Sequence, residues 1–513
     1  MSAEVWGLAA DISTMGVRDG TMSLLLVIHR YLGVAIGLVM ATWCLSGFVM
    51  MYQGYPSLTE AERLGGLQAL KLDASATRIG LDDDQTVSGF LIEMLEGRPV
   101  LRTTVGFRQP RAYDLHSGQL LDEFSPADAL SIASTYAAGH ALTGKPRYLG
   151  LIDYDQWTLE GASARGPVHH VALGDAAGTE VYIGEYNGQV LQDTNARERF
   201  WGWLGAVPHW LYPTVLRQNG KLWNDVVVWA SLTGCFLTVV GLYIGVARFR
   251  KYKSGRWSPY RGWFYWHHIA GLVFGVLTLT WVMSGLFTMN PWGFLESEAG
   301  RAQREQLAGQ ITGAVVKAFL AKAPALAGGG IVELEAAPFG GALFVRTLDH
   351  QGGGKRYDAA GMAAPLTETE VKAALAKTRV GPVANFAQLD REDAYYYSGY
   401  QRQARFPVYR VTLADAGATA LYLDGETGRV ARAIDKTARA SRWLETGLHD
   451  FDFAAALRRR PVWDLMVLVL LAGVTGVCVT GAWLGLKRLA RDLTAIGRWI
   501  GRRVAGKQTA PTH

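Results

Sequence analysis

Apolar residues in this chain are gathered into blocks. Four uncharged runs, Tyr31–Met51, Val226–Ala247, Ile269–Met289 and Leu465–Leu486, interrupt otherwise ordinary polar sequence. Each is close to the ~20 residues that cross hydrocarbon as an α-helix, so the pattern predicts four membrane helices. The polar stretches between them behave differently. In Glu180–Val190 and Ala420–Val430, β-branched and aromatic residues alternate around Asn187-Gly188 and Thr427-Gly428, which predicts hairpins. Helical patterns precede them at Pro126–Ala138 and Thr367–Lys377. Each polar region is therefore expected to be α+β.

The pattern occurs twice. His29, Gly33, Gly37, Trp43, Ser46 and Gly47 return 238 positions later as His267, Gly271, Gly275, Trp281, Ser284 and Gly285. From the hairpins onward the offset is 240, carrying His209, Trp223, Gly241 and Gly245 onto His449, Trp463, Gly481 and Gly485. Each half reads as span, polar domain, histidine segment, span. Because each half crosses twice, both enter from one side, and a pseudo-twofold along the membrane normal is expected to relate them. The chain then divides into a terminus with the first helix (1–52), a first polar domain with its histidine segment (53–222), the second helix with a basic loop (223–262), the third helix (263–290), a second polar domain with its histidine segment (291–464), and the fourth helix with a basic tail (465–513).

Charge adds the orientation. Arg248, Arg250, Lys251, Lys253, Arg256 and Arg261 crowd the link between the second and third helices, and Lys487, Arg488 and Arg491 follow the fourth. Such an excess marks the cytoplasmic side, which places both termini inside. Arg458, Arg459 and Arg460 run against this assignment, and the larger loop excess decides it. The acidic N-terminus, with Glu4, Asp11 and Asp19, lacks a signal-peptide leader, so the first helix is expected to stay as an anchor. The net charge of +6 is a topology signal; no basic-aromatic stripe points to nucleic acid. Cys44, Cys235 and Cys478 all lie in apolar runs without a CxxC pair, which indicates neither a disulfide framework nor a zinc site.

Histidine is costly inside a membrane and marks function there. A pseudo-twofold axis brings equivalent residues opposite each other, so His29 is expected to face His267 near one side and His209 to face His449 near the other. Two imidazoles trans to one another are an axial set for haem iron, whereas zinc or copper wants further ligands. The expected cofactors are two haem b groups, since no CxxCH attaches haem covalently. Gly33, Gly37, Gly271 and Gly275, together with Gly241, Gly245, Gly481 and Gly485, supply smooth faces for a porphyrin or a neighbouring helix. His268 adjoins His267 but aligns with Arg30, which leaves the choice of ligand there open. His116, His140, His169, His170, His350 and His513 read as surface or core residues.

The His-Arg-Tyr-Leu-Gly entry, the Trp-x-x-Ser-Gly exit, the paired hairpins and the later histidine segments resemble the PepSY-associated transmembrane family over nearly the whole chain. That resemblance implies a bacterial inner-membrane di-haem reductase of ferric siderophores, with four helices, two PepSY-like periplasmic domains and His29, His209, His267 and His449 as ligands. A cytoplasmic flavin reductase or membrane quinol is the implied electron donor, and a ferric siderophore, of hydroxamate type for example, the acceptor. Arg458–Arg460 are candidates for an anionic chelate or haem propionates, or a solvated cluster. Tyr154, Trp157, Tyr395, Tyr396, Tyr397 and Tyr400 are candidates for a chelate pocket or domain core. Two other functions stand beside this one: a haem relay to a periplasmic protein or quinone, and a non-enzymatic sensor or scaffold.

Overall fold

The computed structural model describes residues 17–104, 111–399 and 403–508; the acidic stretch with Glu4 and Asp11, Tyr400 and His513 lie outside the described residues. The chain forms two compact units. A helical unit comprises the chain up to Gly54, Trp203–Phe294 and Trp443 onward, and a sheet unit comprises Tyr55–Gly202 with Leu295–Arg442. The histidine segments therefore go with the helices, not with the polar domains in which the sequence placed them.

Among the described residues four helices are long and apolar enough to cross a membrane. They are the first span, Val17–Met50, the second, Gly220–Arg248, the third, Trp263–Thr288, and the fourth, Val462–Gln508. The first and fourth run well past their apolar stretches because hydropathy reports hydrocarbon, while Lys, Arg and Leu continue a helix equally well in water. The basic tail is helical for this reason, helped by the Arg488–Asp492 pair at 2.9 Å one turn apart. Asn219 starts the second span by accepting the Leu222 N–H at 3.0 Å. Met40, Ala41, Leu237, Val474, Cys478 and Ala482 form an apolar cluster within the helical unit. Backbones touch where glycine allows it: a Cβ on Gly37 would lie 3.5 Å from the Ala482 Cα, and one on Gly485 3.1 Å from the Gly33 carbonyl.

In the sheet unit the first polar region gives strands β1 (Gly89–Leu95), β2 (Arg98–Thr104), β3 (Arg111–Asp114), β4 (Leu120–Leu121), β5 (Arg147–Ile152), β6 (Val168–Ala172), β7 (Glu180–Gly184) and β8 (Val190–Thr194). The second gives β9 (Ile331–Ala336), β10 (Phe344–Asp349), β11 (Arg356–Asp358), β12 (Val383–Leu389), β13 (Val408–Leu413), β14 (Ala420–Asp424) and β15 (Val430–Ile434). The expected hairpins are β7–β8 and β14–β15, each the end of a four-stranded antiparallel sheet. Their turns need glycine twice over. Gly188 and Gly428 have φ of +61° and +77°, and a Cβ on either would meet the ring of Phe124 or Phe339 at 2.5 or 2.6 Å. Helices at Pro126–Gly139 and Glu368–Lys377 match the two expected ones, opened by the side chains of Ser125 and Thr367.

The two polar regions are not separate bodies, as the sequence suggested. Strands β1 and β9 pair antiparallel and join both regions into a seven-stranded sheet of order β11-β10-β9-β1-β2-β3-β4. At the junction Glu93 faces Glu333, its equivalent 240 positions on. Two buried carboxylates in register would repel each other. Arg63 holds Glu333 through both nitrogens, at 2.6 and 3.0 Å, and the buried Arg102 holds Glu93 at 2.6 Å. Burial still pushes the Glu333 carboxyl above the usual range, against the pull of Arg63. Arg102 also donates to the Asn187 carbonyl, tying the junction to the hairpin turn.

Candidate functional site

The helical unit brings the four spaced histidines together in two facing pairs. The rings of His29 and His267 stand 6.3 Å apart centre to centre, and those of His209 and His449 stand 6.1 Å apart. Each ring is oriented through Nδ1. His29 Nδ1 lies 3.2 Å from the Leu237 carbonyl and His267 Nδ1 3.2 Å from the Val477 carbonyl, two residues 240 positions apart. A carbonyl oxygen only accepts, so Nδ1 carries the proton and the lone pair sits on Nε2. Thr480 adds a hydroxyl at 3.1 Å from His267 Nδ1.

The second pair is held by the Trp-x-x-Ser motif of the first and third spans. His209 Nδ1 is 3.1 Å from the Trp43 carbonyl and 3.1 Å from the Ser46 hydroxyl. His449 Nδ1 is 3.0 Å from the Ser284 hydroxyl, which itself donates to the Trp281 carbonyl at 3.0 Å and so accepts from the ring. The Trp281 indole N–H fixes the His449 carbonyl at 2.8 Å. Beyond each histidine the short helix is stopped by a left-handed residue, Leu211 or Phe451. Trp223 and Trp463 then donate their indole N–H to the carbonyls of Trp210 and Asp450, at 3.0 and 2.6 Å. The 14-residue spacing from histidine to tryptophan is this tether.

Among the described residues, Nε2 of these four histidines makes no hydrogen bond. An imidazole–iron–imidazole axis measures about 6 Å between ring centres, from two metal–nitrogen bonds of about 2 Å and about 1 Å from each nitrogen to its ring centre. Both pairs have this span, with tautomers fixed as a metal ligand needs. No group of three or more His, Cys, Asp or Glu side chains that could hold a metal ion occurs among the described residues, so a zinc set is not offered. The residues fit haem in this respect.

His268 is placed differently from His267. Its Nδ1 is 2.8 Å from the Ser258 hydroxyl and its Nε2 is 2.9 Å from the Gly245 carbonyl, so neither nitrogen is left for a metal.

A cavity of about 320 Å³ opens around the first pair. Gly33 and Gly271 line it with nothing within 4 Å of a Cβ placed there. Gly37 and Gly275 also line it, but a Cβ on them would meet Ala482 and Leu242, so they serve helix contact as well. The glycines under the rings of His29 and His267 are others. A Cβ on Gly241 would lie 2.6 Å from Cε1 of His29, and one on Gly481 3.0 Å from Cε1 of His267. Sequence reasoning gave these glycines a smooth face for a porphyrin or a neighbouring helix, not a place under an imidazole, and saw Ser46 and Ser284 only as repeated positions; their recurrence in both copies was the available signal.

Of the remaining candidates, Arg460 donates to the Met51 carbonyl at 2.8 Å and packs over the rings of Tyr52 and Trp463. Tyr396 is buried and stacked on Tyr422, and Trp157 is buried, whereas Tyr154 is exposed. His169 and His170 are hydrogen-bonded within the sheet unit, to the Phe124 carbonyl and to Glu180.

Comparison with known proteins gives one family: the profile of the PepSY-associated TM region matches residues 26–488, from the first span through the fourth. No curated protein matches the chain.

Proposed function

The chain belongs to the PepSY-associated TM family, and from this membership and the two histidine pairs we propose that it is a di-haem b oxidoreductase of the bacterial inner membrane, which passes electrons across the bilayer to a periplasmic ferric siderophore. The observation that carries the reading is the pair of ring separations, 6.3 and 6.1 Å, with all four Nδ1 atoms engaged. His29 and His267 would hold one group and His209 and His449 the other. Bound there, haem iron supplies one-electron transfer without acid or base catalysis.

The chain's own part is to orient and to insulate. Leu237, Val477, Trp43, Ser46 and Ser284 fix the ring tautomers, and such partners typically carry a factor of about 10–100 in metal affinity. Met40, Leu237, Val474 and Cys478 form an apolar cluster in the same unit, which would lower the local polarity around the two groups. In this reading the basic loop at Arg248–Arg261 and both termini are cytoplasmic, and the donor is a flavin reductase or membrane quinol. The two halves would be related by a pseudo-twofold axis, with the sheet unit in the periplasm. Metal chemistry supports a ferric chelate as the substrate. Hard oxygen chelators hold Fe(III) far better than the softer, less charged Fe(II), so one electron releases the metal.

The test is reoxidation of the dithionite-reduced protein by ferric hydroxamates, with ferrozine trapping Fe(II). Rapid reoxidation that slows in His449→Ala supports the proposal. Failure of every ferric chelate to reoxidise the protein would reject siderophore reduction and direct the search to a protein or quinone acceptor.

A further inference from the structure

The cavity at the His29–His267 pair is walled mainly by apolar side chains and glycine, with Thr238, Thr278, Tyr260 and His268 as uncharged polar members, and carries cationic side chains along one rim. Arg30 of the first span and Lys487, Arg488 and Arg491 of the fourth line that rim. Arg488 is neutralised by Asp492 at 2.9 Å. The other three have no carboxylate partner among the described residues, and Lys487 only overlies the Trp483 ring at 4.6 Å. Lys487 and Arg491 also stand one turn apart on one helix, where like charges destabilise it.

The repeat supplies an internal comparison. The position equivalent to Arg30 is His268, whose two nitrogens are satisfied by Ser258 and Gly245. Arg248 and Lys251, equivalent to Arg488 and Arg491 at the offset of 240, are not part of the lining, which on that side is made by Tyr260, Phe264 and His268. A rule that only placed cations at the membrane boundary would treat both sides alike. Here the cations converge on the cavity from the first and fourth spans alone.

We infer that Arg30, Lys487 and Arg491 bind the carboxylates of the planar group held by His29 and His267, fixing its acidic edge toward the first and fourth spans. This rests on the haem reading of that pair. Guanidinium and ammonium groups at the edge of an apolar slot recognise carboxylates by charge-assisted hydrogen bonds, which are stronger where water is partly excluded. The same three cations relieve their mutual repulsion on binding. Anionic lipid headgroups share this charge, and the experiment separates the two sources.

Full-length His449→Ala protein, in which only the His29–His267 pair is intact, is prepared without haem in nanodiscs and titrated with ferric protoporphyrin IX and with its dimethyl ester. The ester has the same ring and iron but no carboxylates, and binding is read from the Soret band. The diacid is expected to bind tighter by about tenfold or more. In Arg30→Gln with Arg491→Gln that advantage should vanish while ester binding is unchanged; Arg250→Gln with Lys251→Gln should leave it intact. Equal affinity of diacid and ester before any rim substitution would overturn the inference while leaving the haem reading in place. So would dependence on phosphatidylglycerol in the disc without dependence on esterification, which would assign the rim to lipid. Binding of neither porphyrin would remove the inference together with the reading beneath it.

Discussion

Gly241 lies directly beneath the ring of His29: a Cβ there would stand 2.6 Å from the imidazole Cε1. Alanine is otherwise the better helix former by about 1 kcal/mol, so harm from Gly241→Ala reports this contact alone. The variant should fold, yet lose most of the haem of the first pair. Gly481→Ala, with 3.0 Å under His267, should lose less. Haem content per chain checks both, beside a thermal melt of the protein without haem.

The two adjacent histidines of the third span should separate cleanly. His267→Ala is expected to abolish binding at the first pair. His268→Ala should retain it and instead lower stability by about 1–3 kcal/mol, because it leaves the Ser258 hydroxyl and Gly245 carbonyl without their partner. Absorption spectra and melting temperatures of the two variants decide the matter.

The hydroxyl partners of the second pair are unequal in weight. His449 Nδ1 has the Ser284 hydroxyl, whereas His209 Nδ1 has both Ser46 and the Trp43 carbonyl. Ser284→Ala should therefore weaken haem affinity by about tenfold or more, and Ser46→Ala by less. Equal losses, measured by haem transfer to an apo-acceptor protein, would count against this ranking.

Part of this arrangement is legible in sequence because duplication prints it twice. His29 and His267 are conspicuous as polar residues that recur with their glycines on apolar runs, and the hairpins at Gly188 and Gly428 carry local turn chemistry. The β1–β9 junction leaves no such trace. Glu93 and Glu333 in register argue against strand pairing until Arg102 on Glu93 and Arg63 on Glu333, the latter far away in sequence, are seen to neutralise them. The placement of Gly241 and Gly481 under the His29 and His267 rings, and of Gly37 and Gly275 at helix contacts as well, depends on which spans are neighbours. Periodicity along one span cannot state that. His268 shows the same limit, since only the positions of Ser258 and Gly245 reveal that both its nitrogens are used.

The sheet unit should show its own pH dependence. Asp193 is pushed up to about 6 by burial and by the nearby Glu62, although Tyr136 donates to it at 3.0 Å. A folded-state value above the unfolded one, about 3.9, means that Asp193 costs no stability below about pH 4. The penalty then grows as pH rises toward about 6. Asp193→Asn keeps an acceptor for Tyr136 and removes the charge. It should stabilise the unit at pH 7 by on the order of 1 kcal/mol and flatten the profile between about pH 4 and 6, as read by thermal melts across pH.

The central claim is that two facing histidine pairs each hold a b-type haem. A pyridine haemochrome determination on the full-length protein tests it most directly. Two haem b per chain are expected, with low-spin spectra, falling to one in His29→Ala or His267→Ala and to one in His209→Ala or His449→Ala. A colourless protein that takes up no haem on reconstitution, or a content unmoved by all four substitutions, would contradict it.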